Sequence, residues 1–246
     1  MAEMVEFKID GKTITAERGA SLLDVARANG FDIPSLCHHE AVSPYGACRL
    51  CLVEVKQGKR TKLTTSCNYP VLPGIEVTTS NERILKHRRM VIELLLPRAP
   101  KAPKLLEIAR ELGVEKSRFP DQPDSGDCIL CGLCERVCRE VVGRDALGFS
   151  GRGADKQVGP PFGEMTERCI ACGACVFVCP TGCIELIQSV EKRRLQRWDR
   201  DMEMARCKKC GALFAPKEQL EIFKKLADLP DDFYDNCPGC RPIPTG

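Results

Sequence analysis

The sequence predicts an α+β protein that is assembled from several small modules. Three observations lead to this prediction: apolar residues alternate near the N-terminus, helical spacing follows in the middle, and cysteines recur at fixed spacings. Seventeen of the 246 residues are cysteine, whereas only 5% are aromatic. Because small modules with few aromatic residues lack large cores, we expect bound metal centres to supply much of their stability.

The first module, residues 1–80, has the strand pattern of a β-grasp, a small sheet that packs on one helix. Val5, Phe7 and Ile9 alternate into a turn at residues 10–11, and residues 13–15 return as a second strand. A helix is expected to begin after its cap at Ser21, with Asp24 as the capping-box acid and Gly30 at the end. Further strands are predicted at residues 52–55, 62–65 and 75–79.

The second module, residues 81–120, reads as a helical linker. Its clearest helix is predicted over residues 104–113, where the apolar positions fall on one face: Leu105, Leu106, Ile108, Ala109 and Leu112. The longest largely apolar stretch, Met90 to Pro97, is interrupted by Glu93 and is too short to span a bilayer. We therefore expect no direct membrane insertion.

A duplicated cysteine run fills the third module, residues 121–190. The spacing C-x2-C-x2-C-x3-C occurs twice, and bacterial-type ferredoxins hold two [4Fe–4S] clusters with this spacing. In those proteins the last cysteine of each run ligates the other cluster. The first cluster is therefore assigned to Cys128, Cys131, Cys134 and Cys179, and the second to Cys138, Cys169, Cys172 and Cys175. Disulfides or zinc knuckles are the alternatives, and the duplicated order argues against both.

The last module, residues 191–246, carries two further C-x2-C pairs. Cys207, Cys210, Cys237 and Cys240 resemble the ligands of a zinc ribbon, with a helix predicted between the pairs at residues 217–227. A zinc ion is favoured over another iron–sulfur cluster, although such knuckles accept either metal. A basic helix is expected at the start of this module, over residues 192–200. Nearby acidic residues dilute its charge, so no nucleic-acid partner is expected.

Composition excludes several classes of protein. The chain is too long, and its C-x2-C usage too regular, for a secreted disulfide scaffold. The N-terminal residues carry charges where a signal peptide needs an apolar segment, which favours a cytoplasmic location. A net charge of +3 gives no strong attraction to nucleic acid.

Two segments of the first module resemble a known family. They are residues 33–40, IPSLCHHE, and residues 46–55, GACRLCLVEV. The resemblance is to the N-terminal [2Fe–2S] domain of the complex I large iron–sulfur subunit. The segments are equally similar to the small diaphorase subunit of NAD-reducing [NiFe]-hydrogenases, to the N-terminal part of [FeFe]-hydrogenases and to NAD-linked formate dehydrogenases. The likeness covers roughly residues 3–190, and it implies that four cysteines hold a [2Fe–2S] cluster: Cys37, Cys48, Cys51 and Cys67.

One cluster of this family has no counterpart here. Its members usually place a cluster with one histidine and three cysteine ligands between the two parts, but no cysteine occurs between Cys67 and Cys128. Two explanations are open. Either the module folds more compactly, or the [2Fe–2S] cluster exchanges electrons through a partner.

The resemblance implies an electron-transfer subunit with no catalytic site of its own. With the cysteine sets described above, the expected content is one [2Fe–2S] cluster, two [4Fe–4S] clusters and one zinc ion. Its expected partners are a flavin-containing subunit that oxidises NADH and a catalytic subunit of the hydrogenase type. A formate dehydrogenase or an electron-bifurcating complex is the alternative setting. An iron–sulfur regulator is a further alternative, but it would need a stronger basic recognition element. Cys183 is expected to be a spare thiol, and His38 and His39 border a cluster ligand.

Overall fold

The computed structural model describes residues 3–122, 126–227 and 229–241. The chain forms two compact units. Unit 1 comprises Met1–Arg136 and Pro180–Cys183, and unit 2 comprises Val137–Cys179 and Ile184–Gly246.

Unit 1 contains a five-stranded mixed sheet in the order β2-β1-β5-β3-β4. The central strand β5 runs parallel to β1 and antiparallel to β3, and the outer pairs β1–β2 and β3–β4 are both antiparallel. This sheet is the predicted one, with all five strands close to their expected positions. They are β1 Met4–Ile9, β2 Lys12–Glu17, β3 Leu52–Gln57, β4 Arg60–Thr65 and β5 Glu76–Thr78.

Helix α1, Leu22–Ala28, packs on this sheet because its apolar face meets the inward side chains of β1. Val5, Phe7 and Ile9 are buried, and they alternate with exposed residues as the period of a strand requires. Burying each such side chain contributes about 1.5–3 kcal/mol to folding. The predicted cap is present, since the Ser21 hydroxyl accepts a hydrogen bond from the Asp24 amide.

Two further helices follow in unit 1: α2, Glu82–Leu95, and α3, Pro103–Glu111. Asn81 caps α2, because its side-chain oxygen accepts from the Ile84 amide at 2.9 Å. Helix α3 buries Leu105, Ile108 and Ala109, which lie on the face that the sequence pattern predicts. A short helix, α4, Leu133–Arg136, ends the main segment of unit 1. Among the helices in the described ranges, none is long and apolar enough to cross a membrane.

Unit 2 begins with a π-helical turn, Val137–Val141, and a small hairpin of β6, Gly148–Ser150, and β7, Gln157–Gly159. A short helix, α5, Ala174–Phe177, follows. Four strands then form an antiparallel sheet in the order β11-β10-β9-β8. They are β8 Leu186–Gln188, β9 Lys192–Leu195, β10 Arg200–Arg206 and β11 Leu213–Pro216. Helix α6, Lys217–Leu226, matches the helix expected between the two C-x2-C pairs.

The prediction of a basic helix over residues 192–200 was wrong. This segment forms strand β9, a 3₁₀ turn at Gln196–Trp198 and the first residue of β10. Asp199 has a left-handed backbone (φ +47°), which lets the chain reverse between the two strands. Strand β9 is then hydrogen-bonded on both sides, to β8 and to β10, so sheet pairing outweighs the helix propensity of its lysine and arginines.

Candidate iron–sulfur and metal sites

The four cysteines expected to hold the [2Fe–2S] cluster come together in unit 1. Three lie in the loop between α1 and β3, and the fourth, Cys67, lies in the 3₁₀ turn Ser66–Asn68 that follows β4. All four are almost completely buried, with at most 4% of any of them exposed. The Ser66 hydroxyl and amide both donate to the Cys51 carbonyl at 2.9 Å and so tie this turn to the loop.

Backbone amides already point at these sulfurs. The Leu36 amide donates to Cys48 Sγ at 3.4 Å, and the Cys48 amide donates to Cys37 Sγ at 3.3 Å. A hydrogen bond from the Cys37 thiol lowers the pKa of Cys48 to about 6, and one from Cys67 lowers the pKa of Cys51 to about 7. The same hydrogen bonds, together with burial, raise the pKa of Cys37 and Cys67. The site fits a [2Fe–2S] cluster.

A buried arginine fixes the position of this loop on the sheet. Arg88 of α2 is only 4% exposed, and its guanidinium donates to the carbonyls of Leu50, Leu52 and Thr79 at 2.8–3.1 Å. Burial lowers its pKa, and the charge of Cys51 opposes that shift. A cation therefore lies close to one ligand of the cluster.

The first cysteine run contributes three buried thiols to unit 1, those of Cys128, Cys131 and Cys134. The Arg98 side chain donates to the Cys128 carbonyl at 3.0 Å and holds the start of the run. Cys179 belongs to unit 2, and its assignment to this cluster stays a prediction.

Arg136, the last residue of α4, connects the two sets of ligands within unit 1. Its Nη2 atom donates to the carbonyls of Cys37 at 2.8 Å and Cys131 at 3.4 Å. Its Nη1 atom donates to the carbonyl of Ser43, and its Nε atom to that of Gly132 at 3.3 Å. The side chain is 3% exposed, so these carbonyls replace the water that its charge would otherwise require.

The two cysteine runs share an unusual backbone. The residue before the second cysteine is left-handed in each, Leu130 with φ +55° and Ala171 with φ +47°. The glycine after that cysteine is left-handed as well, with φ +71° at Gly132 and +82° at Gly173. A left-handed residue other than glycine costs about 1–2 kcal/mol, and such strain concentrates at functional sites. The repeated geometry shows that the two runs form loops of equivalent backbone conformation around their second cysteines.

In unit 2 the second set of four cysteines lines one cavity. Cys138, Cys169, Cys172 and Cys175 line it, together with Arg144, Trp198 and apolar residues. Burial raises the pKa of Cys138, Cys169 and Cys175, the last to about 12, and charge on the neighbouring thiols adds to the effect. The Trp198 indole nitrogen is buried and has no hydrogen-bond acceptor among the described residues. An unpaired donor beside four thiols fits a cavity that receives a sulfur-rich cluster.

The C-terminal cysteines also converge. The sulfurs of Cys207, Cys210, Cys237 and Cys240 all lie within 4.8 Å of one another. Cys207 follows β10. Burial alone would raise the pKa of its thiol, but hydrogen bonds from backbone amides of the two knuckles lower that pKa to about 6. Four converging thiols with one already acidic fit the tetrahedral ligation of zinc.

Sequence reasoning missed Arg88, Arg136 and Trp198. Arginine and tryptophan have no fixed spacing to cluster ligands, so no motif marks them. A weak signal exists for Arg136, which lies between two cysteines of one run, where a charged residue is not needed for ligation. His38 borders Cys37 as predicted, and its Nε2 atom pairs with Asp24 of α1 at 2.6 Å.

Comparisons with known proteins identify two types of iron–sulfur domain in the chain. Residues 2–82 match the 2Fe-2S iron–sulfur cluster binding domain, and residues 165–185 match the 4Fe-4S binding domain. The chain is 35% identical, over 79% of its length, to the NADPH-Fe(3+) oxidoreductase subunit alpha of Geobacter sulfurreducens, of which it covers 25%. It is 35% identical, over 74% of its length, to the NADP-reducing hydrogenase subunit HndD of Solidesulfovibrio fructosivorans, of which it covers 36%.

A more distant relative is the mitochondrial NADH-ubiquinone oxidoreductase 78 kDa subunit of Candida albicans, at 31% identity over 73% of this chain and 28% of that protein. The chain thus spans about a quarter to a third of the length of these relatives. Among solved structures, an NAD+-reducing [NiFe]-hydrogenase in the H2-reduced state matches with a TM-score of 0.56 and 29% identity. That match covers 64% of this chain and 75% of the other. The chain therefore contains a 2Fe-2S and a 4Fe-4S binding domain and is similar to subunits of NAD(P)-linked hydrogenases and of complex I.

Proposed function

We propose that this chain relays electrons between a flavin-containing subunit that oxidises NADH or NADPH and a catalytic subunit of the hydrogenase type. It would carry one [2Fe–2S] cluster on Cys37, Cys48, Cys51 and Cys67 and two [4Fe–4S] clusters on the duplicated runs. The partner chemistry is supported by the NAD(P)-linked hydrogenases among its relatives. A cytoplasmic location suits a protein whose cysteines serve as thiolate ligands.

The observation that carries this proposal is the shared donor Arg136. Its Nη2 atom lies 2.8 Å from the carbonyl oxygen of Cys37 and 3.4 Å from that of Cys131. The two oxygens can be no farther apart than the sum of these distances, about 6 Å. Ligands expected for two different clusters are therefore neighbours within unit 1. Of the two explanations for the missing histidine-ligated cluster, this closeness favours compact folding. Electrons would then pass directly from the [2Fe–2S] cluster to the first [4Fe–4S] cluster.

The chain's own part is confined to one-electron transfer. Hydride chemistry requires a flavin or nicotinamide site, and the sequence carries no dinucleotide-binding fingerprint. Zinc on the four C-terminal cysteines would not change oxidation state, so that site would shape the subunit and dock partners without passing electrons.

The test is to purify the tagged chain anaerobically from its native host together with its partners. NADH or NADPH should then reduce its [2Fe–2S] and [4Fe–4S] clusters, as followed by electron paramagnetic resonance (EPR). The same chain purified alone should not be reduced by either nucleotide, because the flavin is then missing. Nucleotide-dependent dye reduction by the pure, flavin-free chain would contradict the proposal.

A further inference from the structure

The hairpin of β9 and β10 places one side chain in the cavity that is lined by the ligands expected for the second cluster. No ligand motif includes this residue. Trp198 ends the 3₁₀ turn between these strands, and its indole lines the cavity with Cys138, Cys169, Cys172 and Cys175. Its ring also lies beside Gly159 of β7, where an added Cβ atom would be 3.8 Å from the ring. The tryptophan is only 5% exposed and is thus held from two sides.

The indole nitrogen is the informative atom. Indole is a donor without acceptor capacity, and a buried N–H group that makes no hydrogen bond costs about 1–3 kcal/mol. Trp198 Nε1 is buried without a partner among the described residues. The sulfur atoms of Cys138, Cys169, Cys172 and Cys175 line the same cavity, so sulfur is the acceptor that this site offers to the N–H group.

Resting on the proposed assignment of the second cluster, we propose that the Trp198 N–H group donates a hydrogen bond to a sulfur of this [4Fe–4S] cluster or of its ligand Cys175 and thereby raises the reduction potential of the cluster. Hydrogen bonds to the sulfurs are among the factors that set these potentials. The donor stabilises the reduced cluster more, because the reduced cluster carries one more negative charge.

The same hairpin carries further hydrogen-bond donors. Arg200, the first residue of β10, also has a buried Nε atom without a partner in the described ranges. Arg193 of β9 donates to the carbonyl of Ala171, inside the ligand loop, at 3.4 Å. The hairpin thus carries two cations near Trp198 in sequence, while Arg144 lines the cavity itself. Trp198 is the neutral donor among them, and its effect can be isolated because its removal leaves these charges in place.

The test exploits the fact that Trp198 is the only tryptophan in the chain. Incorporating indole-¹⁵N tryptophan labels this nitrogen alone. In the reduced holoprotein, pulsed EPR should detect ¹⁵N coupling to one [4Fe–4S] cluster, together with a proton coupling that disappears after exchange into D2O. This measurement needs no mutation. A reduced second cluster that shows neither coupling would overturn the inference.

The matched variant is Trp198→Phe, which keeps an apolar ring but removes the donor. The midpoint of one [4Fe–4S] cluster should shift to lower potential, while the other two clusters keep theirs. Arg194→Gln is the control, because Arg194 lies in the same hairpin but is exposed and pairs with Asp199 and Asp201. It should leave all midpoints unchanged. An unchanged or raised midpoint in Trp198→Phe would contradict this inference alone, whereas a wild-type protein without the second cluster would contradict the proposed ligand assignment.

Discussion

The side chain of Arg136 donates to the backbone carbonyl of Cys37 at 2.8 Å, although the two residues are 99 positions apart. One is expected to ligate the [2Fe–2S] cluster, and the other lies between two expected ligands of [4Fe–4S] clusters. A guanidinium presents several donors in a fixed plane, which is why one side chain can reach Cys37, Ser43, Cys131 and Gly132 together.

Replacing Arg136 with lysine should destabilise unit 1 by about 3 kcal/mol, because lysine keeps the charge but leaves several buried carbonyls unpaired. Denaturant unfolding followed by circular dichroism measures this loss. Arg18→Lys is the control, since Arg18 forms an exposed ion pair with Glu3 and should change stability by less than about 1 kcal/mol. Equal effects of the two variants would contradict a bridging role for Arg136.

Gly46→Ala should weaken the loop of the [2Fe–2S] cluster. Gly46 has φ +71°, and a Cβ atom would come within 3.1 Å of Asn68 Nδ2 beside Cys67. The left-handed backbone alone costs alanine about 1 kcal/mol, and the crowding adds to it. Gly58→Ala isolates the first effect, because Gly58 is also left-handed but has open space around it. The [2Fe–2S] absorbance should bleach faster in denaturant for Gly46→Ala than for Gly58→Ala.

Cys48→Ser should erase or distort the [2Fe–2S] signal in EPR spectra while both [4Fe–4S] signals remain. Serine is nearly isosteric, but its oxygen replaces the thiolate that the cluster requires. Cys183→Ser is the matched control, because Cys183 lies outside every expected ligand set and should leave all three signals intact. Loss of a [4Fe–4S] signal in Cys48→Ser would show that this loop ligates something else.

Anaerobically purified protein should contain about ten iron atoms, two in the [2Fe–2S] cluster and four in each [4Fe–4S] cluster, with matching labile sulfide. Elemental analysis together with a sulfide assay measures both. A value near six irons would mean that one [4Fe–4S] assignment is incorrect.

Cys237→Ser should remove about one zinc per chain and leave the iron content unchanged, because Cys237 lies with three other thiols and apart from the iron sites in sequence. Elemental analysis of wild-type and variant protein decides this. Loss of iron together with a reducible EPR signal would instead make this site a fourth redox centre.

Much of the fold could be read from local patterns. The alternation of Val5, Phe7 and Ile9 and the cap at Ser21 depend on neighbours in sequence, and the strands and helix they predict are present. The cysteine sets were readable because metal ligation imposes fixed spacings. The basic segment after residue 191 was misread, because its structure depends on pairing with β8 and β10 and its charges give no strand signal.

The contacts that organise the sites were beyond sequence reasoning for a different reason. The bond from Arg88 to Leu50 joins residues 38 positions apart, and the approach of Trp198 to Cys175 depends on where a sheet turns. Leu130 and Ala171 take left-handed conformations that their side chains disfavour. These backbone conformations are imposed by the folded loop, so the residue types alone do not predict them.

Strand β10 leads directly from the turn that holds Trp198 to the knuckle that begins at Cys207. A chain that exchanged its C-terminal knuckles for another domain by cutting within this strand would keep Trp198 but lose part of the strand that pairs with β9 and supports the Trp198 turn. Recombination and domain grafting should succeed only at joints that keep the hairpin intact. The C-terminal metal site and the second cluster are thus expected to be inherited as a single piece.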